Sequence, residues 1–238
     1  TFDRLSASIE RQREFTADAS HELRTPLTVI LSEISRGLKR ERSPEEYRDI
    51  LENCQHAATR MRSLVEALLV LARQDGDPKG APRSRANLAD IAADVVDLLK
   101  PLGDERGISI QSDLKPAFFQ GDPQAVSMAA GNLLGNAIRH QAPGGTAVIR
   151  VFSENQKAVL EVADTGPGIP AEHLPRLFDR FYRVDAARCS DGGHAGLGLA
   201  IAKAIVDNHH GTISVESVVG EGSVFRIRLL LADSTVRA

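Results

Sequence analysis

The chain has 238 residues, 42% of them hydrophobic and 26% charged, enough for a small helical element plus one domain with a sizeable core. Its 29 Lys and Arg against 32 Asp and Glu give a net charge of −3, so no strong basic field points to DNA or RNA and no nucleic-acid partner is expected. Two cysteines, Cys54 and Cys189, lie far apart without metal-ligand spacing, which argues against a disulfide framework and suits a reducing compartment.

The chain opens at Thr1, already inside the amphipathic pattern Phe2, Leu5, Ile9. A longer parent protein is therefore the expectation, with a membrane anchor upstream as one option. The longest apolar run, Ala67 to Ala72, is too short to span a bilayer, so this piece should be soluble as it stands.

From Phe2 to about Leu38, the residues Leu23, Leu27, Ile30, Ile34 and Leu38 recur at spacings of three and four, which predicts a helix with one buried stripe. Within it, FTADASHELRTPL places His21 beside Glu22, with Thr25 a turn on and Pro26 next. A neutral imidazole is nucleophilic through one ring nitrogen, and a carboxylate that accepts a hydrogen bond from the other N–H raises the basicity of the attacking one. Glu22 can be that carboxylate. Thr25 shares a helix face with His21, so its hydroxyl can position a water near whatever the imidazole carries. Pro26 removes the helical bond to the Glu22 carbonyl and should bend the backbone there. A lone histidine on a polar helix is usually surface decoration; the combination is what points to chemistry.

Ser43-Pro44-Glu45-Glu46 supplies an N-cap serine, a proline at the first helical position and a glutamate three residues after the cap, so a second helix starts near Pro44. Its stripe of Leu51, Cys54, Ala58, Met61, Val65, Leu68 and Ala72 alternates three and four, a seam that two helices alone cannot cover. Such a hairpin should dimerise into a four-helix bundle. The seam by itself would favour an ordinary coiled-coil stalk.

Residues 75–86, DGDPKGAPRSRA, read as a linker. Beyond it, Ala86 to Leu102, Gln124 to His140 and Gly198 to Asn208 have helical patterns, while Ile108 to Ser112, Ala147 to Ser153, Ala158 to Asp164, Thr212 to Ser217 and Ser223 to Leu230 read as strands. That order predicts an α+β chain of two domains, the second a sheet covered by helices on one face.

The second domain holds a dispersed set of polar motifs. NLLGNAIRH puts Asn132, Asn136, Arg139 and His140 on or near one helical face, opposite Leu133, Leu134 and Ala137. Amide oxygens suit Mg²⁺, and a nearby cation and imidazole can meet phosphate, although a solvated polar face would look the same. In DTGPGI, the Asp164 carboxylate can accept an exocyclic N–H of a base, while Gly166 and Gly168 let backbone approach the ring. GHAGLGL opens the last helix, where backbone N–H groups favour polyphosphate. GEGSVF marks a turn into the final strand, a structural feature more than a direct contact.

Taken in order, HELRTPL, NLLGNAIRH, DTGPGIP, LFDRFYR, GLGLAI and GEGSVF resemble the H, N, G1, F, G2 and G3 boxes of sensor histidine kinases. The resemblance covers essentially the whole chain. It implies a hairpin for dimerisation and phosphotransfer at 15–74, preceded at 1–14 by the end of a HAMP-like linker helix. After the 75–86 linker it implies a catalytic ATP-binding α/β sandwich of the GHKL (Bergerat) type at 87–232, with a tail at 233–238. RQREFTADASHELRTPL looks most like the group that contains heavy-metal sensors.

Carried across by motif, the resemblance makes His21 the phosphoacceptor, Glu22 the general base and Thr25 the residue that positions water for dephosphorylating a response regulator. Asn136 would hold Mg²⁺ with support from Asn132, Arg139 and His140 would face the phosphates, and Asp164 would read adenine. Gly166 and Gly168 would shape the base pocket, Gly196, Leu197, Gly198 and Leu199 would cradle the phosphates in a lid, and Tyr182 and Arg183 would pack on or contact nucleotide. ATP and Mg²⁺ are the implied cofactors. A homodimer and a cognate response regulator are the implied partners, in the cytoplasmic portion of a bacterial inner-membrane sensor.

Three positions depart from the pattern: His194-Ala195 replaces the usual hydroxyl-bearing residues of the glycine loop, Gln141 follows His140 where Ser or Thr is common, and the later His-Gly-Gly turn reads His209-His210-Gly211. Two other readings share parts of the sequence. A related ATPase without phosphohistidine chemistry would have no reason to carry HELRTPL, and a degenerate scaffold would have no reason to keep His21, Asn136 and Asp164.

Overall fold

The structure, a computed structural model, describes residues 2–74, 83–184 and 196–232. The chain divides into two compact units, a helical hairpin and an α/β unit.

The hairpin consists of α1 (Phe2–Leu38) and α2 (Pro44–Gln74). α2 opens on a reciprocal capping box: the Glu46 N–H donates to Ser43 Oγ at 3.2 Å and the Ser43 N–H donates to Glu46 Oε2 at 3.1 Å. That backbone donation is the main reason the Glu46 carboxyl sits below the usual carboxylate range. Arg42 ties the connection together by donating to the Arg36 carbonyl of α1 and to Glu46 of α2, both at 2.9 Å.

The face that α2 turns inward carries Ile50, Ala57 and Leu64, all buried, with Cys54, Met61 and Leu68 half-buried between them. On α1, Pro26 is buried and Leu23, Ile30 and Gly37 are half-buried, with Gly37 set against Ile50 and Tyr47. The helix runs through Pro26 as one element. The predicted stripes therefore divide. Leu23, Ile30, Cys54, Met61 and Leu68 line the intrachain seam, whereas Leu27, Ile34, Leu38, Leu51, Ala58 and Val65 stay exposed, Leu38 at 83% and Leu51 at 68%. One partner helix can cover only one face, so the second apolar face of each helix is left open within a single chain. Among the described residues, no helix is long and apolar enough to cross a membrane.

In the α/β unit, a five-stranded sheet has the order β2 (Ser109–Leu114), β4 (Thr146–Glu154), β5 (Lys157–Asp164), β7 (Gly222–Leu230), β6 (Thr212–Val218). β2 runs parallel to β4 and every other pair is antiparallel. The parallel pair requires a crossover, supplied by β3 (Phe118–Gly121) and α4 (Pro123–Arg139). Helices α3 (Leu88–Arg106), α4 and α5 (Gly198–Asn208) pack on the sheet. Alternation decides what β7 buries: Phe225, Ile227 and Leu229 join the core with Leu133, Leu134, Ile138, Leu160 and Ile205, while Arg226 and Arg228 point to the other side. There the row Arg150, Glu161, Arg226 runs across three strands, and Glu161 takes bonds of 2.7 Å from each arginine.

Residues 84–86, expected in the linker, instead belong to a strand, β1 (Ser84–Asn87), which pairs antiparallel with β3. The polar sequence SRAN hides this because only an edge pairing holds it. α3 accordingly starts later than the pattern suggested, at Leu88, where Asn87 caps it by accepting from the Ala89 N–H at 3.2 Å. Of the rest of the proposed linker, 75–82 lies outside the described residues, as do the proposed tail, 233–238, and Cys189, His194 and Ala195.

Candidate functional site

On the hairpin, successive residues of α1 point about 100° apart, and this separates the two residues that the sequence placed together. His21 is exposed, while Glu22 is half-buried on the side facing α2. The Glu22 carboxylate accepts a hydrogen bond from Arg60 Nη2 of α2 at 3.4 Å. No hydrogen bond or ion pair joins it to the His21 imidazole among the described residues. Thr25 is exposed like His21, and its hydroxyl donates to the His21 carbonyl at 3.3 Å. The expected common face of His21 and Thr25 is thus present, and the expected Glu22–imidazole bond is not.

In the α/β unit, α4 is anchored by Asp122, whose carboxylate accepts from the N–H groups of Gln124 and Ala125, with Pro123 at the first helical position. Burying Leu133, Leu134, Ala137 and Ile138 turns Asn132, Asn136 and Arg139 to a half-buried face. The amide oxygen of Asn132 lies beside Gly198, the first residue of α5: a β-carbon there would sit 3.2 Å from it. Gly196, with φ of +67°, and Leu197 lead into that helix, and Leu199 is half-buried in its first turn.

Arg139 folds back over Gly135, and among the described residues no carboxylate pairs with it. Burial, together with the charge of Arg106 from α3, holds its guanidinium down to about 10, so it remains charged at neutral pH in a place that water serves poorly. A partnerless, desolvated cation of this kind is a site for an anion. His140 follows as an exposed residue whose N–H closes α4 on the Asn136 carbonyl.

Asp164 ends β5 half-buried. Burial pushes its carboxyl above the usual range, against the pull of backbone N–H groups of Gly166 and Ser223; the Gly166 N–H donates to Oδ1 at 2.9 Å. Gly166 is pressed between that carboxylate and the His140 carbonyl, so the Asp164 turn and the end of α4 touch directly. Gly168, with φ of +69°, lies so close to the backbone of Val218 and Val219 that a β-carbon would overlap them. Behind the turn, Ser217 Oγ accepts from the Ile169 N–H and donates to the Gly222 carbonyl, both at 2.8 Å. GEGSVF therefore buttresses the Asp164 loop, in keeping with its structural reading.

Tyr182 and Arg183 follow a 3₁₀ turn, Leu174–Arg176, and are half-buried. The Tyr182 hydroxyl lies 2.7 Å from His173 Nδ1, and the Arg176 guanidinium stands 4.5 Å from the Tyr182 ring centroid. Three contributors carry no signal in the sequence, and a fourth carries one with a different meaning. Arg60, His173 and Ser217 carry no motif, and only contacts reveal them. Gln141 departs from the family pattern, and its task is structural: its amide donates to the Ala137 carbonyl at 2.7 Å and its oxygen accepts from the Thr165 hydroxyl at 3.1 Å.

Residues 11–77 match the family described as the His Kinase A (phospho-acceptor) domain, and residues 121–233 match the histidine kinase-, DNA gyrase B- and HSP90-like ATPase family. The chain belongs to the sensor histidine kinases of two-component systems. Sensor histidine kinase CusS of Escherichia coli O157:H7 is 38% identical over 215 residues, covering 90% of this chain and 45% of CusS. The probable sensor kinase SilS of Salmonella typhimurium is 34% identical over 248 aligned positions, covering 98% of this chain and 50% of SilS. These relatives place the histidine kinase with the heavy-metal-sensor-like group. Full-length ShkA, crystallised with AMPPNP, shares 25% identity at a TM-score of 0.70 over 94% of this chain and 47% of that one. The chain spans about half the length of the curated relatives that it matches.

Proposed function

We propose that this histidine kinase binds ATP in the α/β unit, transfers the γ-phosphoryl group to His21, and passes it to an aspartate of a response regulator. The observation that carries the reading is the approach of Asn132 to Gly198, which puts the amide face of α4 at the N-terminus of α5, while Gly166 joins the Asp164 turn to the end of α4. One unit thereby gathers a carboxylate suited to a base, two amides, a desolvated cation and a helix N-terminus suited to phosphates.

In this reading, Asp164 accepts the exocyclic N–H of adenine, and the close-packed Gly166 and Gly168 leave room for the ring. Asn132 and Asn136 present amide oxygens, Arg139 and His140 meet phosphate charge, and Gly196 through Leu199 offer backbone N–H groups. Tyr182 and Arg183 flank the nucleotide. Among the described residues, no group of three His, Cys, Asp or Glu side chains gathers to hold a metal. Asn136 fits Mg²⁺ as a hard neutral ligand that leaves the other positions to phosphate and water. Bound there, Mg²⁺ would neutralise charge on the phosphates.

His21 is exposed and free to attack, so positioning and charge neutralisation account for most of the rate. Glu22 takes the proton of the imidazole, and Thr25 holds a water for the reverse, regulator-dephosphorylating reaction. The open apolar faces of α1 and α2 support a homodimer, a four-helix bundle on which the regulator docks. The same reading places the whole protein in a bacterial inner membrane, with this portion on the cytoplasmic side, where ATP and the regulator are.

Incubation of the chain with magnesium and γ-labelled ATP tests the reading. The expected label is stable to alkali, labile to acid, and absent from His21→Gln, which still binds ATP. Label on His21→Gln, or none on the unaltered chain, refutes it.

A further inference from the structure

Arg60 stands apart from every motif and yet makes, among the described residues, the one ion pair that reaches Glu22, the neighbour of His21. Its Nη2 donates to Glu22 Oε2 at 3.4 Å, and both side chains are largely enclosed between α1 and α2, 30% and 35% exposed. Its Nε is buried and has no hydrogen-bond partner among the described residues. A guanidinium normally presents Nε and Nη as a fork to both oxygens of a carboxylate. Here a single long contact is made and one arm of the fork is left over, which is the geometry of a pair that can be exchanged, and not of a locked bidentate bridge.

The consequence falls on the chemistry. Phosphoryl transfer to His21 forms a bond between one ring nitrogen and the γ-phosphorus, breaks the bond from that phosphorus to the bridging oxygen, whose electron pair leaves with ADP, and passes the proton of the other ring nitrogen to a base. A base must lie within about 3.2 Å of that proton's nitrogen, or reach it through one water. Glu22 is on the α2 side of α1, engaged with Arg60, while the imidazole is exposed about 100° around the helix.

We propose that Arg60 is a positioning residue that holds the Glu22 carboxylate in a resting place off the imidazole, so that breaking this pair is a step of autophosphorylation. The inference rests on the reading of Glu22 as the base. It assigns α2, and not α1 alone, a part in setting the rate. Any rearrangement that slides α2 past α1 would change how readily Glu22 is released, which gives the hairpin a built-in point of control.

Autophosphorylation of the whole 238-residue chain, followed at varied ATP concentration with thermal melting recorded in parallel, tests this. Arg60→Gln should raise the maximal rate about threefold or more without altering the half-saturating ATP concentration, and Arg60→Lys should return it to the starting value. Arg60→Leu, which keeps the apolar stem packed, should act like Arg60→Gln and covers the case in which the glutamine variant melts early. In a Glu22→Gln background the same substitutions should change nothing over the residual rate. An unchanged or lowered rate in well-folded Arg60 variants, or an equal gain without Glu22, overturns the proposal. If Glu22→Gln alone leaves the rate untouched, the base assignment itself has failed; if it lowers the rate about a hundredfold while the Arg60 variants are silent, only the role of Arg60 has.

Discussion

The guanidinium of Arg139 lies across Gly135, one turn back along α4, so closely that a β-carbon on Gly135 would fall 2.7 Å from Nη2. The glycine is the seat of the arginine. Its absence of a side chain lets a desolvated cation lie against the helix where Asn132 and Asn136 also present themselves.

Gly135→Ala should therefore separate stability from binding. Alanine favours a helix interior by about 1 kcal/mol over glycine, and the obstructing atom is the end of a flexible side chain, so the melting temperature should hold or rise. Nucleotide affinity should fall as the guanidinium is displaced. Titration calorimetry with a non-hydrolysable ATP analogue, beside a thermal melt, reads both; unchanged affinity would mean that Arg139 does not serve the phosphates.

Asp164→Asn should trade binding for stability in a pH-dependent way. Burial raises the Asp164 carboxyl from its ordinary 3.8, so the folded state holds its proton more tightly than the unfolded chain does, and stability falls as pH rises through the window above 3.8. Asparagine removes that penalty. The variant should equal or exceed the parent in urea stability at neutral pH, with the difference shrinking as pH drops toward 3.8, while losing most of its affinity for adenine nucleotides. A variant that binds ATP normally would release Asp164 from the role of base reader.

Glu161→Gln should weaken the sheet without touching the site. Burial alone would raise the Glu161 carboxyl, but bonds from Arg226 and Arg150 outweigh it and hold it below the usual 4.5. A carboxylate so held stabilises the fold at neutral pH, and that contribution is lost as pH falls below about 4.5 through its folded value. Discounted for the partly open arginines, the loss at pH 7 should be on the order of 2 kcal/mol. The gap between parent and variant in urea midpoint should close in acid, and a pH-independent gap would show that the charges are not the source.

His210→Gly should stabilise. His210 follows α5 with φ of +54°, a left-handed conformation that a histidine adopts at a cost and glycine does not. The neighbouring Gly211 N–H already closes the helix end on the Val206 carbonyl at 2.9 Å, so the turn itself should survive. A gain of about 0.5–1 kcal/mol in chemical denaturation is expected, reduced from the full conformational cost because glycine also loosens the unfolded chain. Lower stability would point to an unseen role for the imidazole.

The second helix of the hairpin was legible to the residue, because Ser43 and Glu46 form the capping box that their spacing announced. All five strands of the main sheet were legible, β4 and β7 from alternation and β5 as a short apolar run, although β1 and β3 were not, since SRAN and FFQG are four residues each and lack the apolar pattern that marks a strand. The stripes on α1 and α2 were found but merged: Leu27, Ile34 and Leu51 share a spacing with Leu23 and Cys54 yet look outward, because spacing records which residues are apolar and not which neighbour each one meets. In the candidate site, the motif residues were named, whereas the Tyr182–His173 contact and the support of Ser217 behind the Asp164 loop depend on segments brought together from 9 and 48 residues apart.

The sequence by itself determined which groups this histidine kinase has to work with: an imidazole on a helix, amides on another, a carboxylate at a strand end and glycines where backbones must meet. Those choices are local, dictated by helix and strand periods and by the chemistry of each side chain. Only the tertiary structure decided orientation and company. It turned Glu22 to Arg60 instead of to His21, left Arg139 without a carboxylate among the described residues, and set Asn132 against Gly198. Such pairings arise when distant segments pack into one core, where the position of a side chain is fixed by its neighbours in space.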